Sequence, residues 1–426
     1  MPYLDRWMAR RMGVQVLPSA RDVRLWQLAR LRELLVHARK NSPFYAERLA
    51  GVDADSIRSL RDLARIPMTR PEHLRDNPDA MLCVSRDEIA RVVTLNSSGT
   101  TGTPKRIFNT EGDQERIRDF FSHGMANMLR PGETALLLLP ADRPGGVGRL
   151  LMDSLERMGA GGVAHGSADN GAEAVDHLLA SDAQCVVGSP AQVNALASVW
   201  ERRGLPPGHV HSVLLCWDAI PDAVVGHVTR ALGCKVFRHW GMMETGLGGA
   251  VECAPGSGMH IREADVLLEI IDPVSGELLP DGEAGEIVTT MLFRWGMPLV
   301  RYRTGDRGRI LPGICACGSP LRRLDSQVRR MAEGVETGYG RLTLAQLDEV
   351  LYAIPELIDF HAAWHPGESL LEVTAFGHSS RLGNLVRNEL EALTNLGPDA
   401  NVSVEVRHED GPAVPGLAKR RIRIGR

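Results

Sequence analysis

Leu25, Leu28, Leu31 and Leu35 recur at helical spacing among arginines and glutamates, which predicts an amphipathic helix over residues 24–40. Ser42-Pro43 ends it, because a proline disfavours helical geometry in the residue before it. From about residue 130 the pattern changes to short apolar runs separated by longer amphipathic stretches. Runs 134–139, 185–187, 213–216 and 235–237 read as buried strands, with 150–158 and 191–202 as helices between them. That alternation implies parallel strands joined by crossover helices. After Gly246 the texture is β-rich, with strands expected at 266–271 and 286–290. Asp272-Pro273 and Pro280-Asp281-Gly282 are the turns between them. A compositional break at 325–330 precedes a segment with its own helices (343–352, 380–394) and strands (370–375, 402–406). The expected fold is α/β. A large N-terminal domain of helix-flanked sheets would span 1–325, with a β-rich subdomain at about 247–325, and a small mobile α+β domain would span 326–426.

Composition narrows the function classes. A chain of 426 residues is too long for one ordinary core. The formal net charge of −4 supplies no basic field for nucleic acid. No run reaches the roughly 18 apolar residues of a membrane span, and the arginine-rich first residues lack the apolar core of a signal peptide. Seven cysteines in such a chain do not make a disulfide scaffold, which points to a reducing cytoplasm. Small-molecule partners are expected, and a homodimer stays open.

The densest chemistry lies at Ser97-Ser98-Gly99-Thr100-Thr101-Gly102-Thr103-Pro104-Lys105, after the strand-like Val92-Val93-Thr94-Leu95. Glycines let backbone N–H groups approach phosphates, hydroxyls donate to phosphate oxygens, and Lys105 adds a positive charge. The spacing is not that of the Gly-x4-Gly-Lys-Ser/Thr loop. A polar surface turn would share this composition, so the loop alone leaves both readings open.

Two further motifs follow in order, Trp240-Gly241-Met242-Met243-Glu244 and Tyr302-Arg303-Thr304-Gly305-Asp306. With the loop they resemble the signatures of the adenylate-forming acyl-CoA synthetase superfamily, in its phenylacetate–CoA ligase branch with the coenzyme F390 synthetase relatives. Asn41-Ser42-Pro43-Phe44-Tyr45, residues 57–67, and Ile271-Asp272-Pro273 with Gly285-Glu286 resemble that branch too. The resemblance spans roughly residues 25–325.

The resemblance implies ATP as substrate and AMP as product. Ser97, Ser98, Gly99, Thr100, Thr101, Gly102 and Lys105 would hold the triphosphate, with Thr101 and Glu244 in the catalytic set. Glu244 would hold Mg²⁺, a hard cation that wants carboxylate oxygen. His239, Trp240, Gly241 and Met242 would line the nucleotide. Trp240 stands where the family has tyrosine; its ring would stack on adenine or, alternatively, pack in the core. Asp306 would accept the ribose hydroxyls. A carboxylic acid would be activated as its adenylate and passed to the thiol of coenzyme A.

Two segments depart from the family. Its C-terminal Gly-Lys-Ala-x-Arg is here Gly416-Leu417-Ala418-Lys419-Arg420. A gapless match puts Leu417 at the catalytic lysine, and a two-residue shift puts Lys419 there; Lys419 is the assignment made. At the hinge, Asp325-Ser326-Gln327-Val328-Arg329-Arg330-Met331 replaces the usual Asp-Asp and the Arg-Gly-x-x-Val-x-Pro that shapes the coenzyme A path. The acyl pocket would draw on 140–148 and 216–220, where Cys216-Trp217-Asp218 is unusual. Three readings therefore stand: an acid–CoA ligase, an adenylyltransferase to a non-thiol acceptor as in coenzyme F390 synthetases, and a non-catalytic nucleotide-binding relative.

Cys253 and His260, with Cys315 and Cys317 in a glycine-flanked turn, would supply the three thiols and one imidazole of a structural zinc site; unrelated thiols and a surface histidine are the alternative. Cys83, Cys185, Cys216 and Cys234 fall in or beside apolar runs and read as core.

Overall fold

The helix expected over 24–40 runs from Ala20–Asn41 and starts at a capping box in which Ser19 and Asp22 satisfy each other's backbone N–H groups. Val23, Leu28, Leu31, Leu34, Leu35 and Ala38 form its buried face. Leu25 is a correction, because it is 56% exposed. The buried stripe follows positions 23, 27, 31, 34 and 38, and position 25 lies well off that line at about 100° per residue. The computed structural model describes residues 3–95, 104–167, 170–397, 400–410 and 420–425. No helix among them is long and apolar enough to cross a membrane.

The chain packs as two units, Met1–Asn127 with His239–Met331 and Met128–Arg238 with Ala332–Arg426. In the first, the hairpin Ile89–Leu95 and Lys105–Thr110 leads into the helix Glu111–Met125. An antiparallel sheet follows the order Val266–Ile271, Gly285–Met291, Tyr302–Gly308, Arg329–Arg330. Leu31, Leu34, Tyr45, Phe108, Val266 and Tyr302 share its apolar core. His239 and Trp240 pair with Ala250–Glu252, which pairs in turn with Met259–Ile261.

The second unit contains the expected parallel strands and one that was not expected, Gly161–Ala164, in the order Gly161–Ala164, Thr134–Leu137, Cys185–Gly188, Ser212–Leu215 and the start of Lys235–Trp240. The helices Val147–Arg157, Gly171–Ala180, Pro190–Arg202 and Asp222–Leu232 are their crossovers. The C-terminal sheet, Asn401–Arg407, Leu370–Phe376, Asp359–His365 and Arg423–Ile424, belongs to the same unit. One apolar cluster holds Leu136, Val186, Trp200 and Val213 together with Leu347, Phe360, Trp364 and Val373. Asn194 Nδ2 donates to the Ile358 carbonyl at 2.9 Å, and Glu349 accepts the N–H groups of Asp222 and Ala223 at the start of a crossover helix. A division at 1–325 and 326–426 therefore does not describe the packing. Apolar surface is buried against whatever matches it in space, and 128–238 finds its match in the C-terminal residues.

Arg420 is the buried tie of that C-terminal segment. Its guanidinium meets Asp348 at 2.6 Å and Asp359 at 3.3 Å, over the ring of Phe360. Lys419 and Leu417, just before it, lie outside the described residues.

Candidate active site

The site is built on the first unit. Leu95 and Lys105 are paired across the hairpin, so residues 96–104 connect its two strands. Ser97, Ser98, Gly99, Thr100, Thr101 and Gly102 lie outside the described residues. Lys105 is the first residue of the return strand, and its Nζ lies 2.5 Å from Glu244 Oε1. Tyr302 donates its hydroxyl to the same oxygen at 3.0 Å. Glu244 sits in the single turn Met243–Thr245, which Gly246 closes at φ 65°. Only 2% of Glu244 is exposed. Burial pushes its carboxyl up, but Lys105, through charge and hydrogen bond, and then Tyr302 outweigh burial and hold it below the usual carboxylate range. The structure thus stores an ionised carboxylate in a dry place beside a fixed cation.

The charge balance gives a first prediction. Lys105→Met leaves burial of Glu244 unopposed by its main counter-charge, so the carboxyl titrates higher. The acid limb of any Glu244-dependent activity is expected to move upward by about one to three pH units. A pH–rate profile checks this, and an unmoved limb refutes the assignment of Lys105 as the counter-ion.

Arg294 is the residue that sequence reasoning missed. It is buried, and it donates to the carbonyls of Met243 and Glu244 at 3.4 and 3.2 Å and to Phe108 O and Asn109 Oδ1 at 2.9 and 3.0 Å. It ties the strand carrying Lys105 to the turn carrying Glu244. Its partners are mostly backbone carbonyls, which leave no mark in a sequence.

Trp240 and Asp306 meet directly, Nε1 donating to Oδ2 at 3.1 Å. Arg330 Nη1 lies 3.0 Å from the other carboxylate oxygen. Trp240 is only 7% exposed and packs with Ala250, Met259 and Ile261, so little ring is offered to a base. Its core alternative is the one the geometry favours, and its link to the site runs through Asp306. Arg330 keeps 38% of its side chain exposed in this pair. His239 keeps a buried Nε2 without a hydrogen-bond partner among the described residues, and burial pushes its imidazole down to about 4, so it is neutral at pH 7. Gly241 is required by packing, since a Cβ there would lie 2.5 Å from the Leu247 carbonyl oxygen. Met242 packs partly into the apolar core, and its N–H donates to Thr245 Oγ1 at 3.0 Å, closing the turn.

Cys253, His260, Cys315 and Cys317 come together, with one ligand atom from each within 4.8 Å of all the others. Strand pairing achieves this, because His260 lies opposite Arg323, just beyond the turn that carries Cys315 and Cys317. Cys253 Sγ to Cys315 Sγ is 3.7 Å and Cys317 Sγ to His260 Nε2 is 3.4 Å. Tetrahedral zinc with ordinary bond lengths needs edges of about 3.8 Å between sulfurs and about 3.6 Å between sulfur and nitrogen. The donor types suit zinc, and these two edges are close to those values.

The family model for AMP-binding enzymes matches residues 46–291, more than half of the chain. The chain belongs to the AMP-binding, adenylate-forming enzymes. Within this family it is 32% identical to a phenylacetate-coenzyme A ligase of Thermus thermophilus over 81% of this chain and 78% of that one. A phenylacetate-coenzyme A ligase of Escherichia coli is 28% identical over 88% and 85%. The fold is shared with a solved 2-hydroxyisobutyryl-CoA ligase in its postadenylation state, with a TM-score of 0.78, 21% identity, and coverage of 94% of this chain and 89% of that one. Lys105, Glu244, Tyr302 and Asp306 of this AMP-binding enzyme thus come from three separated motifs and meet on one unit.

Proposed function

We propose that this adenylate-forming enzyme is an AMP-forming carboxylic acid–CoA ligase for an aromatic or small organic acid. The observation that carries the proposal is the buried Glu244, held ionised by Tyr302 and by Lys105, the residue that follows the glycine- and hydroxyl-rich motif in sequence. The acid's carboxylate attacks the α-phosphorus of ATP, the bond to the bridging oxygen breaks, and pyrophosphate leaves. The thiolate of coenzyme A then attacks the acyl carbon and AMP departs. Little covalent chemistry falls to the protein, which aligns reactants and offsets charge.

In this reading Ser97 to Gly102 and Lys105 cradle the phosphates. Glu244 would hold Mg²⁺, which when bound neutralises phosphate charge. Asp306, oriented by Trp240, receives the ribose hydroxyls, and Lys419 offsets the charge that builds on the carboxylate and α-phosphate. Cys253, His260, Cys315 and Cys317 would hold a structural zinc away from the chemistry. The seven cysteines are free thiols, which suits a cytoplasmic enzyme.

ATP–pyrophosphate exchange against a panel of carboxylic acids, with and without coenzyme A, tests the proposal. Acid-dependent exchange followed by a CoA thioester is expected. Exchange with AMP transfer to a non-thiol acceptor would replace the ligase reading, and no exchange with any acid would leave only nucleotide binding. Lys419→Ala in the same assay should slow adenylate formation by roughly a hundredfold. An unchanged rate removes Lys419 from the site.

A further inference from the structure

Gly246, two residues past Glu244, lines a small cleft, open to solvent, together with Arg116, Arg262, Arg294, Asp113 and Asp265. Arg11 joins them through an ion pair to Asp265 at 2.8 Å. Four guanidiniums thus face the two carboxylates of the cleft, and the further counter-charges, Asp119 near Arg262 and Glu244 near Arg294, are already paired with Arg10 and Lys105. Asp265 spends one oxygen on Arg11 and the other on Arg262, at 2.5 Å. Asp113 spends Oδ2 on the N–H and hydroxyl of Thr110. Arg294 bonds only to neutral acceptors. Arg116 rests on the ring of Phe293, 4.8 Å from its centroid, and makes no ion pair among the described residues. Arg11 lies over the same ring at 4.7 Å.

The hydrogen-bond inventory agrees with the charge count. The Nε atoms of Arg11, Arg262 and Arg294 are all buried without a partner among the described residues. A guanidinium in a protein does not deprotonate. Such a surplus of charge and donors is costly to bury unless something offsets it. Planar guanidinium forks match an oxyanion, which can take several charge-assisted hydrogen bonds at once.

We propose that this cleft binds a small dianionic oxyanion of the phosphate class, with Arg116 as its outer ligand and Arg262 and Arg294 as its buried ligands. Two sources share that chemistry, free inorganic phosphate and a phosphate group on a larger molecule such as the 3′-phosphate of coenzyme A.

The test is calorimetric titration of inorganic phosphate into the full chain saturated with AMP, at constant ionic strength in chloride. AMP keeps phosphate out of the nucleotide site. One saturable site per chain is expected, with a higher melting temperature in phosphate than in chloride. Arg116 is partly exposed, so Arg116→Gln should fold as wild type by circular dichroism while binding phosphate about tenfold more weakly or worse. Arg116→Lys should recover part of the loss. Displacement of phosphate by coenzyme A but not by dephospho-coenzyme A identifies the attached group, and displacement by neither identifies the free ion. No saturable binding, or Arg116→Gln binding like wild type, overturns the proposal. No acid turnover is measured, so the result stands apart from the ligase reading.

Discussion

Glu244→Gln is expected to lower acid-dependent ATP–pyrophosphate exchange by about a thousandfold. The substitution keeps the shape of the side chain and leaves an amide oxygen that can still accept from Tyr302 and Lys105, which now meet at Oε1. It removes the negative charge. Lys105, at 19% side-chain exposure, then has no counter-ion in the pair, and a divalent cation loses its carboxylate. The loss should therefore fall on the chemical step while the fold survives. Exchange rates across a Mg²⁺ titration, with AMP binding measured in parallel, separate the two. A rate within tenfold of wild type at saturating Mg²⁺ would remove Glu244 from its assigned role.

The second large effect concerns metal. The purified protein is expected to carry about one zinc per chain by elemental analysis. Cys315→Ser should lose that zinc and melt lower by on the order of 10 °C, because metal closing a four-ligand site contributes directly to folding free energy. Adenylation chemistry in whatever fraction stays folded should survive, since the cluster lies outside the Lys105–Glu244–Tyr302 contacts. Protein free of metal, with Cys315→Ser as stable as wild type, would dispose of the zinc site.

The sequence carried some of this further than the rest. The strand expected over 266–271 is observed as Val266–Ile271, because an unbroken apolar run between turn residues leaves little choice. The helix Tyr3–Met12 looks like a polar start in the sequence, since arginines dominate its composition. Yet Leu4, Trp7 and Met8 are buried, and Arg10 and Arg11 are spent on Asp119 and Asp265. Charge that is paired at long range looks like surface in one dimension. The strand Asp359–His365 was missed because its histidines mask the alternation that buries Phe360, Ala362 and Trp364.

The site divides in the same way. Glu244 and Asp306 announce themselves through motifs. The residues of the Cys/His cluster are visible as residue types, but the pairing of Met259–Ile261 with Arg323–Leu324 is what brings His260 to the segment that follows Cys315 and Cys317. Arg294 could not be found at all, since its role depends on carbonyls that every residue possesses. Trp240 shows the limit of a motif: its burial leaves little of the ring exposed, and its Nε1 instead donates to Asp306.

The interleaving of the two packing units bears on how the protein is made. A ribosome releases Met128–Arg238 long before Ala332–Arg426, yet Leu136, Val186 and Val213 share their core with Leu347, Phe360 and Val373. The first unit likewise waits for His239–Met331 to complete the core begun by residues 1–127. Neither can close while the nascent chain is half made, and at about 5–20 residues per second the waiting lasts many seconds. Apolar surface on the early segments is then open to aggregation or to a chaperone, and a release from the ribosome before Ala332–Arg426 is made leaves a fragment with half a core.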